Sequence, residues 1–318
     1  MSDTGTGLKE VVAAREAIGG RLHRTPMFGS ATLGELTGGR VFLKAELFQK
    51  TGSFKPRGVL NNLAALSPEQ RARGVISISA GNHAQALAWG AASERVDALV
   101  VMWQGASEAK IAATRGYGAT VDLEADGPAE AFKRLAQLQE QTGRALVHPF
   151  DHPLTIAGQG TVGLEIVEEL PETATLVVPV GGGGLISGIA LAAQGRRVIG
   201  VEPELSPAMH EALAAGKPVS VTPKSIADGL SAPFAGEYCL EICRERVEGI
   251  VLVSEAELEQ AFRFLYERAK LAAEPAGAAP VAALLAHKIP LGQGETVVAV
   301  VSGGNVATET AVAILGGE

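Results

Sequence analysis

The chain has 318 residues, of which 47% are hydrophobic and 19% are charged, a balance that excludes an intrinsically disordered protein. Its net charge of −8 argues against a broad nucleic-acid-binding surface. The length exceeds the size at which one hydrophobic core usually stops growing, so we expect two lobes. Glycine occurs 39 times, which indicates many tight strand-to-helix turns or close approaches of backbone to a ligand.

The sequence shows no targeting segment and no membrane span. The first ten residues lack the basic and then apolar pattern of a secretory signal. The longest uncharged stretch, residues 176–194, is interrupted by Pro179 and four glycines. Cys239 and Cys243 are too few for a disulfide framework and lack metal-ligand spacing. We therefore expect a cytoplasmic protein with no metal site and with neither a membrane nor a nucleic-acid partner.

Short β-branched runs alternate with amphipathic segments, beginning with a helix over residues 8–18 that stops at Gly19 and Gly20. This alternation predicts βα units around a mainly parallel sheet, hence an α/β fold. The predicted strands are 41–46, 75–79, 97–102, 175–180, 197–202, 250–254 and 296–302. The predicted helices are 56–66, 83–93, 107–116, 129–142, 156–170, 185–194, 237–246, 255–272 and 275–287.

Two motifs far apart in the chain point to the same cofactor. Lys55 lies in the run TGSFKPRG, just past a glycine turn. The residues Gly181, Gly182, Gly183 and Gly184 separate an apolar strand from a helix, an arrangement whose backbone N–H groups bind phosphate. Alone, the lysine reads as a surface charge and the glycines as a turn. Together, a reactive amine and a phosphate cradle predict pyridoxal phosphate.

A competing nucleotide motif is excluded by its context. Residues 158–163 match G-x-G-x-x-G, the fingerprint of dinucleotide-binding folds. That fingerprint requires a buried strand directly before the first glycine, whereas residues 152–157 do not read as one. We therefore expect these glycines to belong to a helix.

Two further loops follow predicted strands and carry polar groups. The segment 77–85 includes Ser79, Asn82 and His83, and the segment 297–305 places Ser302 at a strand tip. Carboxyl ends of parallel strands meet at one edge of a sheet, so these groups are expected to gather in one crevice.

With these motifs in hand, the chain resembles the fold type II, tryptophan-synthase-β-like pyridoxal-phosphate enzymes, and within them the threonine/serine dehydratase and serine racemase branch. The resemblance covers nearly the whole chain. The motifs that carry it, in family order, are SFKPRG at 53–58, SAGNHAQ at 79–85, AGQGT at 157–161, GGGG at 181–184, IADG at 226–229, EP at 274–275 and SGGN at 302–305.

The resemblance implies a role for each matching residue. Lys55 bonds covalently to the cofactor, Phe54 packs against it and Asn82 binds its ring hydroxyl. Glycines 181–184 hold the phosphate, Gly229 approaches the cofactor closely, and Ser302 faces the pyridine nitrogen. The loop of Ser79, Ala80, Gly81, Asn82 and His83 receives the substrate carboxylate. Glu274 either orients the lysine and the cofactor hydroxyl or takes part in a buried salt bridge.

The family also implies a domain arrangement. Residues 1–73 and 152–318 would form a large cofactor-binding domain, and residues 74–151 a small mobile domain that closes over the substrate. Pro149 and Pro153 within residues 148–153 agree with a boundary there. A homodimer or larger homo-oligomer is expected.

Three departures from the family pattern bear on function. Racemases of this branch have a serine acid/base where this chain has Ala80, so efficient racemisation is not expected. The family's divalent-metal glutamate is followed six residues later by an aspartate, but here Glu202 is followed by Ala208. Relatives often carry an arginine in the helix near Ala131, so a less polar pocket is expected here, and Phe150 points the same way.

The resulting hypothesis is an ammonia-lyase that removes water from a 3-hydroxy L-amino acid such as threonine, serine, phenylserine or 3-hydroxyaspartate. Lys55 would remove the α-proton, its pKa lowered by burial and by a nearby cation such as Arg57. Three alternatives remain open: an amino-acid racemase, a β-replacement synthase, and a binding protein without turnover.

Overall fold

A computed structural model describes residues 5–317, which form ten strands and fourteen α-helices. The strands are β1 (Met27–Gly29), β2 (Arg40–Ala45), β3 (Val75–Ile78), β4 (Ala98–Trp103), β5 (Thr120–Ala125), β6 (Ala145–Leu146), β7 (Thr175–Pro179), β8 (Arg197–Pro203), β9 (Gly249–Val253) and β10 (Thr296–Val301). The helices are α1 (Leu8–Ile18), α2 (Ala31–Thr37), α3 (Pro56–Ala64), α4 (Pro68–Arg73), α5 (Asn82–Ser93), α6 (Glu108–Gly116), α7 (Pro128–Thr142), α8 (Pro153–Glu169), α9 (Gly184–Ala192), α10 (Ala208–Ala215), α11 (Glu237–Arg246), α12 (Glu255–Phe264), α13 (Pro275–Leu285) and α14 (Thr308–Gly316).

The larger sheet has six strands in the order β1-β2-β10-β7-β8-β9. All neighbouring pairs are parallel except β1 with β2. Every residue of β7 and β10 is buried, because helices cover both faces of the sheet. The chain order reverses around β10 and β7, and the carboxyl ends of these two strands lead into Ser302 and the glycine run.

The smaller sheet has four parallel strands in the order β5-β4-β3-β6. All four lie between residues 75 and 146. Their apolar side chains share a core cluster with Val59, Leu60 and Leu63 of α3. The helix that follows Lys55 therefore packs against the smaller sheet. The prediction of an α/β fold with two lobes of mainly parallel sheet is confirmed.

The glycines of the G-x-G-x-x-G motif lie inside α8. A Cβ atom at Gly158 would lie 2.6 Å from the Arg57 carbonyl oxygen and from Gly58 Cα of α3. A Cβ atom at Gly160 would lie 2.7 Å from the carbonyl oxygen of Gly188 on α9. These glycines allow α8 to pack closely against two helices, and the motif does not begin at a strand end. The prediction that these glycines belong to a helix is confirmed.

A buried group of charged side chains ties α3 to the larger sheet. The Arg57 guanidinium donates to Glu46 through Nε and Nη2, each at 2.8 Å, and to Glu165 Oε1 at 2.6 Å. The Lys44 ammonium donates to Glu165 Oε2 at 2.6 Å and to the Thr25 carbonyl at 2.8 Å. Because both charges of each pair are withdrawn from water, loss of one partner leaves an uncompensated buried charge.

One predicted helix ends early. The segment 255–272 was expected to be continuous, but α12 stops at Phe264 and a π-turn follows over Leu265–Ala269. Lys270 has a φ of 59°, the left-handed conformation that ends a helix.

In the region from residue 5 to 317, no helix is both long and apolar enough to cross a membrane.

Candidate active site

Two adjoining cavities lie between the sheets. The inner cavity is lined by Phe54, Lys55, Asn82, Gly181, Gly182, Gly183, Gly184, Gly229, Glu274 and Ser302, which include every residue predicted to contact a cofactor. The outer cavity, of about 560 Å³, is lined by Ser79, Ala80, Gly81, Asn82 and His83, the residues predicted to bind substrate. Lys55, Asn82 and Phe150 line both. A ligand in one cavity can therefore reach a ligand in the other.

Lys55 precedes the first turn of α3, where Pro56 occupies the first helical position. Its ammonium donates a hydrogen bond to the Pro149 carbonyl at 3.0 Å and lies 5.1 Å from the centre of the Phe54 ring. Burial lowers the pKa of Lys55 to about 8, against the opposing effects of Cys239 and Glu274. Burial is one of the two predicted causes. The other, a nearby Arg57, does not contribute, because Arg57 is buried against Glu46 and Glu165 and is not among the groups that shift this pKa.

The four glycines form the turn between β7 and α9. Gly183 has a φ of 100° and is the N-cap of α9, and no side chain caps this helix. A Cβ atom at Gly182 would overlap the Phe150 ring, and one at Gly183 would meet Met209 and Cys239. Packing against these side chains therefore requires glycine at both positions. The uncapped N–H groups of α9 remain directed at the inner cavity.

A chain of amide groups links the lysine loop to Glu274. Asn305 donates to the Thr51 carbonyl at 2.7 Å and to Asn82 Oδ1 at 2.8 Å, and Asn82 Nδ2 donates to Glu274 Oε1 at 2.8 Å. Burial, followed by the Asp228 carboxylate, raises the pKa of Glu274 to about 7. The hydrogen-bond partner of the Glu274 carboxyl is thus an amide, and among residues 5–317 no ion pair of Glu274 is found.

Ser302 and Gln159 complete the inner cavity. Ser302 is 3% exposed, and its carbonyl accepts a hydrogen bond from the Phe54 N–H at 3.2 Å, which holds the tip of β10 beside Lys55. Gln159 of α8 is 1% exposed, yet neither of its side-chain amide atoms has a hydrogen-bond partner among residues 5–317. An unpaired buried amide is costly, so this side chain fits a cavity that takes up a polar ligand. Gln159 is not among the predicted site residues, although it lies in the AGQGT motif.

The loop between β3 and α5 forms one wall of the outer cavity. The Gly81 N–H donates to Ser79 Oγ at 3.1 Å, and no side chain caps α5. The His83 side chain is 2% exposed, with Nε2 at 3.0 Å from Ser77 Oγ and 3.1 Å from the Val147 carbonyl. Burial lowers the pKa of His83 to about 3, so the ring is neutral. The His83 ring is thus hydrogen-bonded to residues of the smaller lobe, whereas the backbone of the loop borders the outer cavity.

The opposite wall of the outer cavity is aromatic. Trp103 at the end of β4, Phe132 of α7 and Phe150 line it. Ala131, the position used to predict a less polar pocket, is fully buried, and its neighbour Phe132 borders the cavity instead. Trp103 and Phe132 were not predicted as site residues. Which side chain of a helix or strand points into the cavity changes from one residue to the next, and the sequence does not fix this choice.

Glu202, the counterpart of the family's metal-binding glutamate, binds the backbone. Its carboxylate accepts hydrogen bonds from the N–H groups of Met209 and His210, each at 2.8 Å, at the start of α10. Burial raises the pKa of Glu202 to about 8 in spite of these bonds. Within the described part of the chain, no group of three or more His, Cys, Asp or Glu side chains is arranged to hold a metal ion.

Comparison with known proteins assigns the chain to a family. Residues 19–303 match the family model described as "Pyridoxal-phosphate dependent enzyme". The chain belongs to this family. A lysine amine and an uncapped helix N-terminus face one cavity, as expected of a member.

Similar proteins carry several related names. An L-threonine ammonia-lyase of Thermotoga maritima is 44% identical over 304 residues, covering 94% of this chain and 75% of that protein. An L-threo-3-hydroxyaspartate ammonia-lyase of Saccharomyces cerevisiae is 40% identical, with 97% and 96% coverage. The solved structure of maize serine racemase has a TM-score of 0.92 at 35% identity, with 96% and 95% coverage. The fold is therefore shared across enzymes named for elimination and for racemisation.

Pyridoxal phosphate, the cofactor of this family, fits the inner cavity. The aldehyde requires an amine with a lowered pKa, which Lys55 supplies. The phosphate requires several N–H donors, which the uncapped start of α9 supplies. The unpaired amide of Gln159 provides a further polar contact.

Proposed function

We propose that this enzyme is an ammonia-lyase that removes water from an L-3-hydroxy amino acid and yields a 2-oxo acid and ammonia. The observation that carries the proposal is the Lys55 amine, whose pKa burial lowers to about 8, placed where the inner cavity opens into the outer one. The names of the Thermotoga maritima and Saccharomyces cerevisiae relatives support the same reaction class.

The cofactor-binding residues are proposed as follows. Lys55 bonds to the aldehyde carbon, and Phe54 packs beside the ring. Asn82, held by Asn305 and Glu274, donates to the ring hydroxyl. Glycines 181–184 bind the phosphate, and Ser302 faces the pyridine nitrogen. Gly229 allows close approach of its backbone to the cofactor. A Cβ atom at this position would lie 2.9 Å from the Cβ atom of Ala276.

Proton transfer is assigned to Lys55. Bound pyridoxal phosphate withdraws electrons from the α-carbon of the amino acid joined to it. The neutral Lys55 amine then takes the α-proton, and its lowered pKa keeps a useful fraction of it neutral near pH 8. A neutral hydroxyl at Ser302, in place of a carboxylate, gives the ring nitrogen no partner that stabilises its charged form. This would favour rapid loss of the β-hydroxyl, which takes up one proton to leave as water and so balances the proton that Lys55 removes from the α-carbon.

The loop of Ser79, Ala80, Gly81, Asn82 and His83 is proposed to bind the substrate carboxylate. The start of α5 is uncapped, so its N–H groups are available to an anion. We assign residues 74–151 to a small mobile domain that closes on the substrate and excludes water, and residues 1–73 and 152–318 to the large domain. Residues 1–4 and Glu318 lie outside the described part of the chain.

Racemisation is the second candidate function, favoured by the likeness to maize serine racemase. It requires a second acid/base on the side of the α-carbon opposite the lysine. The side chain of Ala80 in the outer cavity is a methyl group, which cannot carry a proton. Elimination is therefore the better-supported function.

The test is incubation of the purified holoenzyme with L-threonine, L-serine, L-threo-3-phenylserine and L-threo-3-hydroxyaspartate. A 2-oxo acid and ammonia in equal amounts are expected from at least one of them. Appearance of the D-enantiomer without 2-oxo acid would establish a racemase instead. A thiol adduct formed on addition of sulfide would establish a β-replacement synthase, and absence of every product would leave a binding protein.

We further propose a homodimer or larger homo-oligomer located in the cytoplasm. The presence of exposed aromatic residues such as Phe28 and Phe48, whose rings pack edge to face at 6.3 Å, agrees with a self-association surface. Sedimentation of the holoenzyme tests the assembly, and a monomer at all concentrations would contradict it.

A further inference from the structure

The outer cavity is larger and more aromatic than a methyl substituent requires. Its volume of about 560 Å³ lies within the range of sites that enclose whole small molecules. Trp103 and Phe132 come from the smaller lobe, and Phe150 lies beside the glycine turn. Phe150 also borders the inner cavity, so the aromatic wall begins next to Lys55, where the reacting carbons of a substrate would lie.

Two rings of this wall, Phe132 and Phe150, are held by contacts with neighbouring rings. Phe234 packs between Phe132 and Phe150, with ring centres at 5.7 and 5.8 Å. The His148 ring contacts Phe150 edge to face at 4.8 Å. Such separations are those of favourable aromatic pairs, and a further ring of a ligand can join them at similar distances. A preformed wall costs little conformational entropy on binding.

The charges around the outer cavity do not suit an acidic substituent. Apart from Lys55, whose amine is proposed to bond to the cofactor, the described lining residues include one lysine or arginine, Lys110, and its ammonium is paired with Asp228. Burial lowers the pKa of His83 to about 3, so that ring supplies no charge at neutral pH. A second carboxylate on the substrate would lie near Asp228 with no free cation to bind it.

We infer that the preferred substrate carries an aromatic ring on its β-carbon, and that Phe132 and Phe150, supported by Phe234, are the residues that select it. This inference rests on the proposed ammonia-lyase function and specifies its substrate class. An L-3-hydroxy amino acid with an aryl substituent would place its ring against this wall while its amine and carboxylate occupy the Lys55 and Ser79 regions.

The test compares kcat and KM for L-threo-3-phenylserine and L-threonine in the wild-type holoenzyme, in Phe132→Ala and in Phe132→Leu. The kcat/KM for phenylserine is expected to exceed that for threonine by about tenfold or more, the scale of selectivity that a hydrophobic pocket provides. Phe132→Ala should reduce this ratio at least about tenfold. Phe132→Leu, which keeps most of the volume and the fold, should reduce it less. Tyr266→Ala, which removes a ring 51% exposed and remote from both cavities, is the matched control.

A binding measurement separates this inference from the proposed reaction. L-phenylalanine and L-alanine lack a β-leaving group, so their dissociation constants can be read from the change in cofactor absorbance without turnover. Phenylalanine should bind about tenfold more tightly than alanine in the wild type, and the difference should shrink in Phe132→Ala.

Equal binding of phenylalanine and alanine, or a ratio of kcat/KM that favours threonine and is unchanged in Phe132→Ala, would overturn the inference while leaving the ammonia-lyase function intact. Tight phenylalanine binding without 2-oxo acid from any substrate would support the aromatic site and refute the proposed reaction.

Discussion

Asn82 of α5 donates a hydrogen bond to Glu274, the N-cap of α13, at 2.8 Å, although the two residues are 192 positions apart. This bond joins a helix of the smaller sheet to a helix of the larger one at the wall of the inner cavity. Because burial raises the pKa of Glu274 to about 7, the carboxyl group changes its charge near neutral pH. The Asn82 side chain, which is proposed to bind the cofactor, is thus hydrogen-bonded to a carboxyl group that titrates near neutral pH.

The amine of Lys55 should become reactive as the pH rises through about 8. The neutral amine attacks the cofactor aldehyde, and burial lowers the pKa of Lys55 to that value. We expect the rate at which cofactor-free protein takes up pyridoxal phosphate to rise with a midpoint near pH 8 and to level off about one pH unit above it, and Lys55→Ala to show neither covalent uptake nor turnover. Visible absorbance after mixing measures the rate, and Lys133→Ala, at an exposed position, is the control. Unchanged uptake by Lys55→Ala would refute the assignment.

Ala80→Ser should introduce racemisation. The added hydroxyl would lie in the outer cavity and could carry a proton that the alanine methyl group cannot. Chiral chromatography of L-serine incubated with the variant should reveal D-serine that the wild type does not form, with 2-oxo acid release retained. If no D-serine appears while the variant still binds cofactor, Ala80 is not what limits racemisation.

Arg57→Met should destabilise the protein strongly. It removes the cation bound by Glu46 and Glu165, so Glu46 stays buried without a cation and Glu165 keeps only Lys44. Breaking a buried ion pair in this way costs about 3–5 kcal/mol. The shift of the denaturant midpoint measures the loss, and Arg40→Met, which breaks a solvent-exposed pair with Glu172, should shift the midpoint little. Equal shifts in the two variants would contradict the energetic role of burial.

Glu202→Gln should change how stability depends on pH. Burial raises the pKa of Glu202 to about 8, whereas a glutamate in the unfolded chain ionises near pH 4.5. Between these values the folded state keeps a proton that the unfolded state has lost. The protonated Glu202 therefore contributes its full share to the free energy of unfolding below pH 4.5. That contribution decreases as the pH rises and is lost as the pH passes about 8.

The melting temperature of Glu202→Gln relative to the wild type should therefore increase from about pH 5 to about pH 9. Glu204→Gln, two positions away and exposed, should show no such trend. A constant offset between Glu202→Gln and the wild type at all pH values would show that Glu202 does not titrate as expected.

The sequence allowed the site to be predicted more completely than the fold. Each predicted site residue belongs to a local motif, and parallel strands that end at one edge bring such motifs together. Strands with weak patterns were missed. β1 has three residues, and β5 alternates Val121 and Leu123 with Asp122 and Glu124, as an exposed edge strand does. α4 contains no large apolar residue, and only its Ser67 and Gln70 capping box marks it.

What remained beyond prediction depends on contacts between distant segments. Nothing local indicates that Arg57 binds Glu165, 108 positions away, or that Phe132 borders the cavity while Ala131 is buried. A side chain's direction at the end of a helix turn depends on how that helix packs against the sheet, which the hydrophobic pattern only constrains to a broad face.

The position of Phe150 restricts how substrate preference can be altered. Its ring fills the space above Gly182 while also bordering the outer cavity, so one side chain separates the glycine turn from that cavity. A smaller residue there would loosen the turn that precedes α9 along with the cavity. Engineering of selectivity should therefore begin at Trp103 and Phe132, which line the outer cavity but not the inner one.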